Sequence, residues 1–412
     1  MINLKPLKST YLFLFLSLNF QLISGAQKVK VQRSAFGVHS SEKQSQTIKT
    51  GAARTDLYIK LLKGKNLAIV GNQTSIIEKR NKNQEASHLV DSLLSLEINI
   101  KKVFAPEHGF RGKADAGEII KDGFDPKTGL EIISLYGNNK KPSNGQLKDI
   151  DIVVFDIQDV GARFYTYIST LHYVMEACAE LNIKVIILDR PNPNIHYIDG
   201  PVLEIAHKSF VGMHKVPVVY GMTIGEYGKM INGEKWLKNG IQCELSVIPL
   251  ENYTHKTTYN LPVKPSPNLP NDKSINLYPS LCFFEGTTIS AGRGTEMQFQ
   301  IYGSPFLEKN QFSFTPQANE GAKYPKYKNE LCFGENLQRT KNLNQLNLSW
   351  LLKAYKQNSS KEFFNGFFTK LAGTKKLQKQ IEKALSTEEI RKTWKEDLEA
   401  FKLIRSKYLI YE

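Results

Sequence analysis

Cysteine is scarce: the four in 412 residues, Cys178, Cys243, Cys282 and Cys332, are widely spaced and include no C-x-x-C pair. They signal neither a zinc site nor a disulfide scaffold. Core packing is the expected fate of each, with one bridge open to them in an oxidising compartment. No stretch beyond the first thirty residues supplies about 20 consecutive apolar side chains, so no membrane-spanning helix is expected. Several catalytic signatures are also missing. No G-x-G-x-x-G follows a strand-like run, no H-E-x-x-H marks a metalloprotease, and no G-x-S-x-G elbow marks a serine hydrolase. Neither internal repeats nor nucleic-acid motifs occur. The net charge of +15 and pI near 9.3 therefore suggest an acidic membrane or an acidic polymer as partner rather than nucleic acid. Part of that surplus is a Lys-rich carboxyl-terminal region, for which a merely solvated helical face is the plainer reading.

What is present begins with an export signal. Lys5 and Lys8 precede the apolar run Tyr11–Ile23, and Ser24-Gly25-Ala26 offers small residues for a cut after Ala26. No cysteine stands near that cut to carry a lipid. Residues 1–26 are expected to be removed and the mature protein exported to the periplasm or cell envelope. Residues 27–55 are polar, rich in Ser, Gln and Lys, and read as a flexible tether.

From Asp56 onward, apolar runs of strand length alternate with segments of helical spacing. Strands are expected at 66–71, 98–104, 131–136, 151–155, 184–188 and 241–248, and helices at 56–62, 88–96 and 169–181. This alternation predicts an α/β protein: a Rossmann-like, mostly parallel sheet covered on both faces, without a bound dinucleotide. Four prolines within Leu261–Pro270 suit a stiff crossing between lobes. The expected domains are thus 56–264, the catalytic one, and 265–412, a smaller α/β one.

Polar clusters sit where the strands end, the edge at which open parallel sheets bind ligands. Asn72-Gln-Thr-Ser75 follows one strand and Pro106-Glu-His-Gly-Phe-Arg111 the next. Asp156-Ile-Gln-Asp159 runs on to Arg163-Phe-Tyr-Thr-Tyr167, and Asp189-Arg-Pro-Asn-Pro193 ends another strand. Glu107 is the best acid candidate, since Pro106 stiffens its approach and Phe104 and Phe110 stand ready to desolvate it. Asp156 or Asp159 is its candidate partner across a cleft. Arg111, Arg163 and Arg293 lie among glycines or aromatics, and a guanidinium grips a carboxylate with paired hydrogen bonds. Tyr165 and Tyr167 offer flat faces for a sugar ring, as core aromatics would. A metal-dependent hydrolase using His108, Asp156 and Asp159 and a non-catalytic glycan-binding protein are the competing readings.

The motifs Asn72–Ser75, Pro106–Gly112 with Ala116-Gly-Glu118, Asp156–Gly161 with Arg163–Ile168, Leu188–Pro193, Pro265–Asn268, and Glu285-Gly-Thr287 with Gly292–Thr295 occur together and in order. In this the chain resembles the exo-β-N-acetylmuramidases of the NamZ type, over nearly everything from Asp56 onward. The resemblance implies release of single N-acetylmuramic acid units from the non-reducing ends of peptidoglycan fragments, with no cofactor. It also implies substrate-binding roles for Asn72, His108 and Glu118, and for Asp189 and Glu285, beside the arginines and tyrosines above. The lactyl carboxylate of N-acetylmuramic acid would give an arginine its target. The second catalytic group stays open, since the substrate's own 2-acetamido oxygen can serve as nucleophile.

Overall fold

The computed structural model of the protein describes residues 47–78, 86–110, 122–360 and 362–412. The expected signal peptide, Arg111 and Glu118 lie outside them. In chain order the strands are β1 (Leu67–Gly71), the short ribbon β2 (Ile76–Ile77) and β3 (Ser87–His88), β4 (Ile100–Ala105), β5 (Gly123–Phe124), β6 (Glu131–Ser134), β7 (Ile152–Asp156), β8 (Lys184–Leu188), β9 (Leu245–Ile248), β10 (Ile301–Ser304), β11 (Ser313–Phe314) and β12 (Cys332–Asn336). The helices are α1 (Thr55–Leu62), α2 (Leu89–Ser95), α3 (Tyr167–Glu180), α4 (Ile224–Gly233), α5 (Asp272–Leu281), α6 (Ser349–Gln357), α7 (Phe368–Ala372), α8 (Lys376–Glu382), α9 (Thr387–Lys392) and α10 (Lys395–Ser406).

Seven strands form the main sheet in the order β5-β6-β4-β1-β7-β8-β9, all pairs parallel except the edge pair β5–β6. Leaving out β5, this is the doubly wound order that starts at a central strand and builds outward first to one side, then to the other. Its switch point falls between β1 and β7, and sheets of this order bind ligands beyond their carboxyl ends. The continuous apolar runs follow from coverage on both faces. Val153 and Phe155 of β7 point into one core, while Ile152 and Val154 point into the other; Ala68/Val70 against Leu67/Ile69, and Val185/Ile187 against Ile186/Leu188, divide the same way.

A smaller second domain follows, with the antiparallel sheet β10-β12-β11 and helices α6–α10. Its entrance helix α5 is capped reciprocally by Asn271 and Ser274, yet contains Pro279. That proline cannot bond the carbonyl of Ile275, and the Asn194 side chain supplies the missing donor at 3.1 Å.

The end of the expected tether, residues 47–55, is structured. Lys49 pairs with Glu251, and Gly51 donates its N–H to Asp189 O at 2.8 Å in a slot where a Cβ would collide with Ile248 O and Asp189 N. Residues 47–55 are thus packed against the tips of β8 and β9. All four cysteines are buried and free, so no disulfide joins them.

Candidate active site

The tip of β4 turns sharply. His108 has a φ of 72° and Gly109 one of 77°, a left-handed pair that swings Glu107 and His108 into a cleft of about 260 Å³. The cleft is walled by Tyr136 after β6, Phe164–Thr166 after β7, Phe210, Ser266 and Asn268 from the proline-rich crossing, Tyr278 and Cys282 of α5 and its extension, Glu285, Arg293, Phe299, and Phe367 and Leu371 at α7.

Glu107 is held by hydroxyls. Thr166 Oγ1 donates to its Oε2 at 2.6 Å, and Tyr136 also hydrogen-bonds its carboxyl. Burial, and then the Glu107 carboxylate beside it, push the Tyr136 phenol upward, so Tyr136 keeps its proton. A hydroxyl can donate to a carboxylate or accept from a carboxylic acid, so both partners serve Glu107 in either state. Phe110, expected to desolvate Glu107, instead packs edge-on against His88 at 4.9 Å. Replacing Thr166 by Val should lower kcat about tenfold with little change in KM, because Glu107 loses its fixed orientation while Val keeps the bulk of Thr in the cleft wall. Steady-state kinetics would check this; an unchanged kcat would make the Thr166 bond incidental.

Among the described residues Arg293 is the arginine that reaches this cleft. Its Nε and Nη2 grip Glu285 at 2.7 and 3.0 Å, and the guanidinium lies 5.1 Å from the centre of the Phe299 ring. Beneath the pair, Lys326 Nζ donates to the carbonyls of Phe284, Glu285, Thr287 and Ile289 at 2.7–3.2 Å. Burial brings that ammonium down to about 8, so it is still charged at neutral pH. Burial alone would raise Glu285, but the Arg293 charge and its hydrogen bonds outweigh it and hold the carboxyl below its ordinary value. One carboxylate and two cations leave this corner with a surplus positive charge, and no bond from Arg293 Nη1 is made among the described residues. Such a corner has the chemistry to accept an anionic group.

Several expected site residues have structural duties instead. Arg163 is fully buried, its Nη1 donating to Pro201 O and Val216 O and its Nη2 to Leu371 O and Ala372 O, all within 2.7–2.9 Å. It caps α7 and does not face a ligand. A side chain at Gly373, where φ is 71°, would press on Arg163 Nη2 at 2.7 Å, so this helix end requires glycine. Asp156 is buried and held by Arg190 through two bonds of 2.6 and 2.8 Å, away from the cleft lining. Asp159 is buried too, receiving the Tyr220 hydroxyl and the Gly161 N–H on Oδ2, and burial raises it to about 6. The turn after it needs Gly161, φ 76°, because a Cβ there would strike the Asn192 side chain. Neither aspartate stands across the cleft from Glu107.

Tyr167 is buried, with its hydroxyl taking the Asn72 amide at 2.9 Å, while Asn72 Oδ1 receives Thr74; both brace the β1 tip. Tyr165 does line the cleft, but it is 7% exposed and its hydroxyl goes to Pro265 O at 2.9 Å, leaving no open face for a sugar. Asp189 is enclosed by Tyr411, Thr223 and the N–H groups of Gly225 and Arg190, and burial lifts it to about 7. Of the expected residues the cleft therefore gathers Glu107, His108, Tyr165, Glu285 and Arg293. His108, Asp156 and Asp159 do not converge: among the described residues no three such side chains form a metal-holding group.

The sequence reading missed Tyr136, Thr166, Phe210 and Phe367. Tyr136 follows a strand of the same sheet and Thr166 lies within an already suspicious motif, so the strand-tip rule extends to both. Phe210 and Phe367 come from irregular segments with no local pattern to mark them.

Residues 67–273 match the family described as exo-beta-N-acetylmuramidase NamZ, N-terminal, and residues 276–411 its C-terminal counterpart. The chain is 36% identical to the peptidoglycan beta-N-acetylmuramidase NamZ of Bacillus subtilis (strain 168), over 90% of this chain and 94% of that protein. Among solved structures it resembles two DUF1343 family proteins of Bacteroides fragilis NCTC 9343. One is 45% identical with a TM-score of 0.81, the other 27% identical with 0.73, each covering 89% of this chain and 99% of theirs. With both halves matched and a curated relative aligned over almost its whole length, the chain belongs to the NamZ family of exo-β-N-acetylmuramidases.

Proposed function

We propose that the protein is an exported exo-β-N-acetylmuramidase that removes N-acetylmuramic acid from the non-reducing ends of peptidoglycan fragments. The observation that carries this reading is a single small cleft containing both an acid held by hydroxyls, Glu107, and an arginine with an open edge, Arg293. At about 260 Å³ the cleft is at the small end for ligand sites, which suits one terminal amino sugar. Glu107 protonates the leaving glycosidic oxygen. Arg293, with Lys326 behind it, receives the lactyl carboxylate. Phe210 and Phe367 supply the apolar faces first expected of Tyr165 and Tyr167. Among the described carboxylates Glu107 and Glu285 line the cleft, and Glu285 is committed to Arg293, which favours the substrate's own 2-acetamido oxygen as the nucleophile. The amino-terminal signal supports placement in the periplasm or envelope, beside the polymer.

Turnover of a chromogenic β-N-acetylmuraminide by the purified protein, before and after exhaustive chelation, tests this reading. Equal activity in both is expected; no turnover leaves only a binding protein, and loss on chelation requires a metal-dependent route. The Arg293 assignment has its own test. Arg293→Met should reduce the preference for N-acetylmuraminides over N-acetylglucosaminides by about 1.5–3 kcal/mol, the scale of a charged hydrogen bond. Because it also strands Glu285, the Arg293→Met/Glu285→Gln variant is the control and should show the same loss. An unchanged preference would remove Arg293 from recognition.

A further inference from the structure

The catalytic reading leaves the Lys-rich carboxyl-terminal region unexplained. Helix α8 buries Leu377 and Ile381 in the core. At 3.6 residues per turn, the opposite face presents Lys375, Lys379 and Lys383, spaced i, i+4, i+8 and all exposed. Lys370, just before, is exposed as well, and the only acid in this stretch is Glu382. Lys376 on the flank is held by Glu204 at 2.9 Å. Among the described residues Lys370, Lys375, Lys379 and Lys383 have no acidic partner. Like charges one turn apart oppose helix formation, so the stability of α8 does not account for the row.

Its position does. Phe367 and Leu371, at the adjoining α7, form part of the cleft wall, and Arg163 fixes the end of α7 through Leu371 O and Ala372 O. The row therefore starts four residues beyond the cleft and is rigidly joined to it. A bilayer is a poor match: a membrane-surface helix sets exposed apolar side chains beside its cations, and those of α8 are in the core. A hydrophilic polyanion fits.

We propose that Lys375, Lys379 and Lys383, with Lys370, form a docking face for the carboxylates of peptide stems further along the glycan whose terminal sugar enters the cleft. This rests on the muramidase reading for the identity of the polymer. The cleft takes the bare terminal unit, with its free lactyl carboxylate, while the lysine row holds the peptide-bearing chain behind it and keeps the enzyme on an insoluble substrate.

The test uses the full protein and the variant Lys375→Gln/Lys379→Gln/Lys383→Gln, whose changes are all on an exposed helix face. Co-sedimentation with purified peptidoglycan sacculi at low salt should weaken about tenfold, the sum of three exposed ion pairs. Raised salt should bring the wild type toward the variant. Turnover of the soluble chromogenic β-N-acetylmuraminide should be unchanged. Wild-type protein on sacculi whose stem carboxylates have been blocked by carbodiimide coupling to a neutral amine, which leaves the cross-links intact, should bind no better than the variant does on untreated sacculi. Undiminished sedimentation of the variant would overturn the docking face, as would equal wild-type binding to carboxylate-blocked and untreated sacculi, or tighter binding to anionic lipid vesicles than to sacculi. Loss of chromogenic turnover by the wild type would instead strike the muramidase reading, so the two failures are separable.

Discussion

Replacing Glu107 by Gln is expected to slow hydrolysis of the natural N-acetylmuramyl–N-acetylglucosamine disaccharide by about 10²–10⁴-fold, the range of general acid catalysis. A sugar hydroxyl is a poor leaving group whose oxygen must gain a proton as the bond breaks, whereas a nitrophenolate departs with little help. The loss on a nitrophenyl substrate should therefore be much smaller, provided bond cleavage limits both rates. Gln preserves size and can still hydrogen-bond Thr166 and Tyr136, so a fold or packing defect would not produce this split. Equal, large losses on both substrates would make Glu107 an electrostatic stabiliser or a base for the acetamido group. Wild-type rates on both would return it to a structural role.

The second large effect concerns stability. Arg163→Met should destabilise the protein by about 3–5 kcal/mol, the cost of removing one partner from a buried charged network. Burial already brings the Arg163 guanidinium down to about 9, so desolvation is a standing cost of keeping it there. A hydrophobic replacement relieves that cost, but four carbonyls, of Pro201, Val216, Leu371 and Ala372, then lose their donors inside the core. The midpoint of chemical denaturation reads this directly. Activity per folded molecule should fall as well, since α7 carries Leu371 into the cleft wall. An unshifted midpoint would mean that water replaces the guanidinium without penalty.

Arg163 and Arg293 also mark the limit of what the sequence made legible. Both stand among glycines and aromatics after a structured run, and nothing local separates them. The difference is made by partners far along the chain: Arg163 meets the end of a helix 208 residues later, while Arg293 meets Glu285, 8 residues earlier, in a loop that opens on the cleft. The same holds for Asp156, whose partner Arg190 belongs to the neighbouring strand tip. The core of the sheet was far easier, because β1, β7 and β8 are covered on both faces and so appear as uninterrupted apolar runs. Placing the strand tips on one edge followed from that sheet, and it brought Glu107 to the cleft. Helix α5 is not among the expected elements, and it tolerates Pro279 because the Asn194 amide supplies the donor that Ile275 O would otherwise lack. Residues 47–55 read as a tether because their polar composition hides how closely Gly51 fits beneath Asp189.

If this cleft cuts one terminal sugar at a time, an end-labelled glycan will shorten from one end only. Purified protein would be mixed with peptide-free peptidoglycan chains that carry N-acetylmuramic acid at the non-reducing end and a label at the reducing end, and products would be resolved by mass over time. Free N-acetylmuramic acid is expected as the first product, with a labelled chain shorter by that one unit and no internal fragments. Early appearance of labelled short oligosaccharides from within the chain would contradict it.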